Sequence, residues 1–118
     1  MVEDSQLGRY DAAESACRRA LELEPDSAMA WFRLGNIVKA RGELARAVEC
    51  YASAIGRDPA LADAHCQHAF VLFKLGRYDE SRASHAAALA LNPEFVEAHH
   101  NLGLLELDDD VGRVDRGV

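Results

Sequence analysis

The chain has 118 residues, 49% apolar and 28% charged, with a formal net charge of −7. That length fits one domain, and the acidic balance argues against a nucleic-acid backbone as partner and suits neutral or basic ones. No run of about 18 apolar residues is present to span a membrane, and Met1-Val2-Glu3-Asp4 does not open a secretory leader. Cys17, Cys50 and Cys66 form no CxxC pair, so a reducing cytoplasm is expected rather than a disulfide framework.

A spacing of 34 residues organises the chain. Gly8, Gly42 and Gly76 obey it, as do Pro25, Pro59 and Pro93. So do Ala20, Ala54 and Ala88; Ala30, Ala64 and Ala98; Leu21, Ile55 and Leu89; and Tyr10, Leu44 and Tyr78. Self-similarity at this period marks a solenoid of helix–turn–helix units, and the length then holds about three and a half units. Such stacks bind through extended surfaces.

Residues 1–27 form a partial unit. Gly8 stands in the phase of the inter-helix glycines, and only Met1–Leu7 precede it, too few for a leading helix. The second helix is expected from about Arg9 to Leu23. Residues 28–61 form a full unit. Trp31, Leu34, Gly35 and Val38 share one helical stripe, and Gly42 ends that helix by accepting a left-handed backbone. From Glu43 to about Gly56, the residues Leu44, Ala47, Val48, Tyr51, Ala54 and Ile55 share a face. Pro59 then forces a turn. Gly35, Ala47 and Ala54 are small enough for two backbones to approach closely, with Trp31 and Tyr51 filling the wider part of the gap.

Residues 62–95 repeat the frame with Ala69, Leu72, Gly76, Tyr78, Ala88 and Pro93. Residues 96–118 form a second partial unit. Phe95–Leu107 reads as a first helix, with Leu102-Gly103 repeating Leu34-Gly35. Asp108-Asp109-Asp110 then breaks the pattern as a solvated stop, lacking the alternating ligands and glycine of a calcium loop. The expectation is an excerpt of a longer protein. The orphan half-units at the two ends are complementary, so head-to-tail association is a further expectation.

Trp31, Leu34-Gly35, Ala47, Tyr51, Ala54 and Pro59 together resemble the tetratricopeptide repeat signature, with Val38 where an aromatic is common. The resemblance covers nearly the whole chain. It implies an all-α fold, a right-handed α-solenoid of antiparallel helix pairs, with a concave face lined by the first helix of each pair. On that frame the groove-lining positions are Phe32, Arg33, Asn36 and Lys39, then Cys66, Gln67, Phe70 and Lys74, then Glu97, His100, Asn101 and Leu104. Side-chain amides both donate and accept, so they can hold a peptide backbone, and Phe32 and Phe70 can hold an apolar side chain. Asn36→Ala with Asn101→Ala is expected to weaken partner binding without unfolding.

Family members that clamp a C-terminal carboxylate use lysine, asparagine and arginine. Here Asn36 matches, but Phe32 and Glu97 stand where lysines belong, and Glu97 repels a carboxylate. The asparagine ladder of O-GlcNAc transferase is matched only by Asn101 and approximately by Gln67, with Arg33 at the first rung.

His65, His68 and His85 take the phases of Trp31, Leu34 and Tyr51, which meet in the core of a full unit, and His99 repeats His65. Three converging imidazoles suit zinc; the plainer expectation is a degenerate repeat with neutral buried histidines, no metal and no cofactor. Burial of neutral histidines predicts lower stability in acid. No phosphate loop, nucleophile elbow or activated cysteine is visible, so no enzyme is expected. Cys17 and Cys50 read as packing positions and Cys66 as groove-lining. The function implied is a scaffold that binds a peptide segment or partner protein, with no nucleic acid and no membrane. A recognition arm excerpted from a larger glycosyl- or sulfotransferase is the alternative, and a self-assembling structural element a third.

Overall fold

A computed structural model describes residues 2–95, with side chains from residue 8. Among the described residues it is all α: α1 (Val2–Leu23), α2 (Ala28–Ala40), α3 (Leu44–Arg57), α4 (Ala62–Lys74) and α5 (Tyr78–Leu91). The predicted partial unit 96–118, with Glu97, His99, His100, Asn101, Leu104 and the aspartate run, lies outside the described residues.

The turns come from the repeated glycines and prolines. Gly42 (φ 86°) and Gly76 (φ 81°) are left-handed. Beyond each, the amides of Glu43 and Arg77 reach back to the carbonyls of Val38 and Leu72 at 2.9 Å. This closure satisfies carbonyls that a helix end leaves open. Between pairs, Ser27 caps α2 by accepting from the Ala30 amide at 3.2 Å. At the Pro59 and Pro93 turns, the side-chain oxygens of Asp58 and Asn92 accept from the amides of Ala60 and Glu94, which fixes the reversal locally.

Gly8 departs from the expectation. It lies inside α1 and does not have a positive φ. Here the backbone stays helical, at the cost of about 1 kcal/mol that glycine carries relative to alanine.

The core is layered between the helices of each pair. In the first pair Val38, Ala47, Tyr51 and Ala54 are fully buried; in the second Ala64, Ala69, Val71, Leu72 and Ala88 are. Each such aliphatic side chain contributes roughly 1.5–3 kcal/mol when buried if it is valine or leucine, and less if it is alanine. Alanine's role is to let the backbones close. α2 packs on α3 and α4 on α5 more extensively than α1 packs on α2 or α3 on α4. The last two contacts join successive units. α1 is further tied down by Glu14, whose buried carboxylate takes Arg18 at 2.6 Å, Arg46 at 3.3 Å and Arg41. Hydrogen bonds from Arg18 above all hold that carboxyl below its usual range, against the opposing effect of burial.

Candidate functional site

The stack bends, and the bend defines an inside. The backbones of α2 and α4 approach each other closely, while among the described residues those of α1 and α3, and of α3 and α5, do not; α1 and α3 meet only through longer side chains such as Glu14 and Arg46. Closer spacing of the first helices curves the array toward them, so α2 and α4 form the inner face. On the outer side, grooves of about 550 and 360 Å³ open between α1 and α3 and between α3 and α5.

The inner face brings four of the predicted residues together. The ammonium of Lys39 donates to Oε1 of Gln67, one unit along, and stands 5.5 Å from the Phe70 ring centroid. Lys74 stands 5.4 Å from the same ring. Each cation is held by the negative face of the ring. Arg33 is exposed and borders a separate, largely apolar groove of about 530 Å³ between α1 and α2.

Phe32 and Asn36 sit elsewhere in the packing. Phe32 is half-buried, its ring 5.9 Å from that of Tyr51. Oδ1 of Asn36 accepts the hydroxyl of Tyr51, a fully buried residue. Removing the acceptor leaves that hydroxyl unsatisfied at about 1–3 kcal/mol. Asn36→Ala therefore also costs stability and does not isolate a groove contact. Cys66 also departs from its expected place. It is fully buried in a small cluster with Ala88, Leu89 and Phe95, so it does not line the groove. Burial pushes the Cys17 and Cys50 thiols up from their ordinary range, which suits packing rather than nucleophilic roles.

The histidines do not converge. His65 occupies the Trp31 phase and inherits its hydrogen bond: Trp31 Nε1 donates to the Pro25 carbonyl at 3.3 Å, and His65 Nε2 to the Pro59 carbonyl at 2.9 Å. His68 Nδ1 meets Ser84 Oγ at 3.1 Å. Both line the outer groove between α3 and α5. His85 is instead fully buried, and neither ring nitrogen has a hydrogen-bond partner. Among the described residues no group of three His, Cys, Asp or Glu side chains is placed to hold a metal. No described helix is long and apolar enough to cross a membrane.

Two features were missed from sequence. The α1–α2 groove is lined by Ala13, Ala16, Cys17, Ala20, Met29 and Ile37 among others. Ala20 is exposed although its repeat equivalents Ala54 and Ala88 are fully buried. The repeat phase of Ala20 pointed to burial, so its exposure was not legible from the period. The other is Tyr51, whose hydroxyl could have been matched to Asn36 from the closeness of their helices.

The chain resembles several known proteins. It is 38% identical over 50 residues to tetratricopeptide repeat protein 7B of mouse and of human, covering 42% of this chain and 6% of those proteins. It thus spans a small fraction of the curated relatives it matches. Among solved structures it is 30% identical to an O-GlcNAc transferase mutant of Thermobaculum terrenum, over 87% of this chain and 20% of that one, with a TM-score of 0.77. MamA aligns at a TM-score of 0.82 and 22% identity, over 88% of this chain and 61% of that one. The first TPR of Spaghetti (RPAP3), bound to the HSP90 peptide SRMEEVD, aligns at 0.83 and 17%, over 90% and 86%. These last two likenesses speak to the fold. The family profile described as tetratricopeptide repeat matches residues 4–62, half of the chain, and one described as TPR repeat matches residues 71–107. With the paired helices, the glycine closures and the small-residue core, these matches establish that the chain belongs to the tetratricopeptide repeat family.

Proposed function

We propose that the chain is a non-catalytic interaction module, working in a reducing compartment, whose inner face takes an extended peptide segment of a partner protein. The observation that carries this is the Lys39–Gln67–Phe70–Lys74 cluster. It draws side chains from two successive units into one surface, so it exists only because the units stack. Gln67 offers an amide to a peptide backbone, Phe70 an apolar platform, and Arg33, Lys39 and Lys74 cations. The likeness to a peptide-bound TPR domain supports the same reading. His100 and Asn101 continue this surface in the proposal, by their phase in the repeat.

The test is selection of binding peptides from a displayed random library, followed by titration of the best peptide by calorimetry. Gln67→Ala with Arg33→Ala is expected to weaken it about tenfold, at roughly 0.5–1.5 kcal/mol per lost contact. The melting temperature should be unchanged. Unchanged affinity contradicts the proposal.

The open α1–α2 groove favours a second reading, association through half-units. The segment 95–107 of a second copy would lie where a first helix packs on Ala13, Cys17 and Ala20. Sedimentation should then show mass rising with concentration, and Ala16→Arg with Ala20→Arg should return it to monomer. A constant monomer mass contradicts this reading. The likeness to an O-GlcNAc transferase structure favours a third, in which the array delivers substrates to a catalytic domain. Finding such a domain in the same native polypeptide would support it.

A further inference from the structure

The outer groove between α1 and α3 carries unbalanced acid on both walls. Trp31 and Leu34 of α2 form its floor, with Leu21 and Cys50 beside them. Arg18 and Glu22 stand on the α1 wall, Arg46 and Glu49 on the α3 wall. The two arginines are committed to other carboxylates: Arg18 donates twice to Glu14, and Arg46 donates to Glu43 and Glu14. Arg57 stands over the Trp31 ring at 5.1 Å, with hydrogen bonds to the carbonyls of Pro25 and Ser53 and with Asp26 at 3.8 Å. Arg19 does not line the groove. The exposed side chains of Glu22 and Glu49 have neither hydrogen bond nor ion pair among the described residues. Each wall thus carries one cation neutralised within the protein and one carboxylate that is not.

The next outer groove, between α3 and α5, is the same mould with that chemistry removed. All eight residues lining it stand 34 positions beyond residues that line the first. Gly56 takes the phase of Glu22, Ala83 that of Glu49, His65 that of Trp31 and His68 that of Leu34. The groove therefore forms without acids at these two positions, and Glu22 and Glu49 are not what shapes it.

A long basic side chain lays its methylenes on apolar surface while its head stays at charge, and a guanidinium can meet a carboxylate through two parallel hydrogen bonds. An exposed ion pair alone contributes little; here the floor adds apolar burial to it. We propose that the α1–α3 groove docks a basic segment of a partner protein, with arginine or lysine stems laid on Leu21 and Trp31 and their heads meeting Glu22 and Glu49. The net charge of −7 acts in the same direction, because it draws basic partners toward the chain. This segment is a second one, on the outer side, and its docking does not depend on what the inner face takes.

The test titrates the protein into fluorescein-labelled, amidated peptides RLRRLRRL and QLQQLQQL and follows anisotropy. The basic peptide is expected to bind at least about tenfold tighter and to weaken as salt rises. Glu22→Gln with Glu49→Gln is expected to weaken it about fivefold. Asp63→Asn with Glu94→Gln removes the same net charge from exposed positions outside the groove, and is expected to leave the affinity within about twofold. Trp31 is the only tryptophan, so its emission, followed with the unlabelled basic peptide, reports on the groove itself and is expected to shift with the same midpoint. Gln67→Ala is expected to leave this binding unchanged, which separates it from failure or success of the inner face. Equal losses in the two charge-reduced proteins, equal binding of the two peptides, or saturation without a change in Trp31 emission overturns the proposal. A mass of the protein alone that rises with concentration and reverts in the Glu22→Gln, Glu49→Gln variant assigns the groove to a second copy and overturns it as well.

Discussion

Replacing Gly35 by alanine is expected to destabilise the protein by about 2 kcal/mol, and replacement by leucine to prevent folding. A Cβ at Gly35 would stand 2.6 Å from Cε1 of Tyr51, 2.8 Å from Cδ1 and 3.1 Å from Cζ. The ring has little freedom to retreat, because Tyr51 is fully buried, its hydroxyl is bonded to Asn36, and Phe32 packs beside it. Overpacking of this kind costs roughly 1–3 kcal/mol, while the better helix propensity of alanine returns up to about 1. The next unit shows a compatible pair: Ala69 stands in the Gly35 phase, and the smaller His85 in the Tyr51 phase. Combining Gly35→Ala with Tyr51→His is therefore expected to cost less than the sum of the two single changes, with a coupling of about 1–2 kcal/mol. Urea denaturation of the four proteins measures this. Additive losses, or a Gly35→Ala protein as stable as the parent, would show that the close approach does not constrain the pair.

The second large effect is acid destabilisation through His85. Its imidazole is fully buried without a hydrogen-bond partner, and burial holds its pKa below the ordinary 6.5. The unfolded chain then binds a proton more readily than the folded one. The stability conferred by a neutral His85 is fully present above pH 6.5 and is lost as pH falls below it. The slope reaches at most about 1.4 kcal/mol per pH unit. His68 adds to the loss in the same direction. Burial is the main cause of its lowered pKa, aided by His65 and Arg77 and opposed by Glu80. Melting curves from pH 8 to 4.5 should fall below about pH 6.5, and His85→Leu should remove much of the fall. An unchanged slope in that variant would mean that other groups control the acid limit.

The repeat made most of the fold legible. The period located Gly42, Gly76 and the prolines, and hence the ends of α2 to α5, because those residues impose backbone angles of their own. It failed at Gly8, where the same residue in the same phase lies within the continuous helix α1. Periodicity also assigns a residue to a helix face without saying what the adjacent helix does with it. For that reason Cys66 and Asn36 were expected in the groove. Cys66 is covered by Leu89 and Phe95 instead, and Asn36 is committed on one side to Tyr51. The Lys39–Gln67–Phe70–Lys74 cluster joins two units across a distance that no single-helix pattern encodes, and its residues were visible only as separate candidates. The histidines follow the same rule. Their phases were readable, but His65 keeps the hydrogen bond of a tryptophan while His85 loses that of a tyrosine.

The most direct test of the central claim, that the inner face is where a partner binds, is site-specific photo-crosslinking in the source cells. A photoreactive residue is placed singly at Arg33 or Gln67 on the inner face, and at Ala52 or Ala83 on the outer face. The account predicts one and the same partner segment joined to both inner positions and absent from both outer ones. Crosslinks to that partner from Ala52 and Ala83 but not from Arg33 and Gln67 would contradict it.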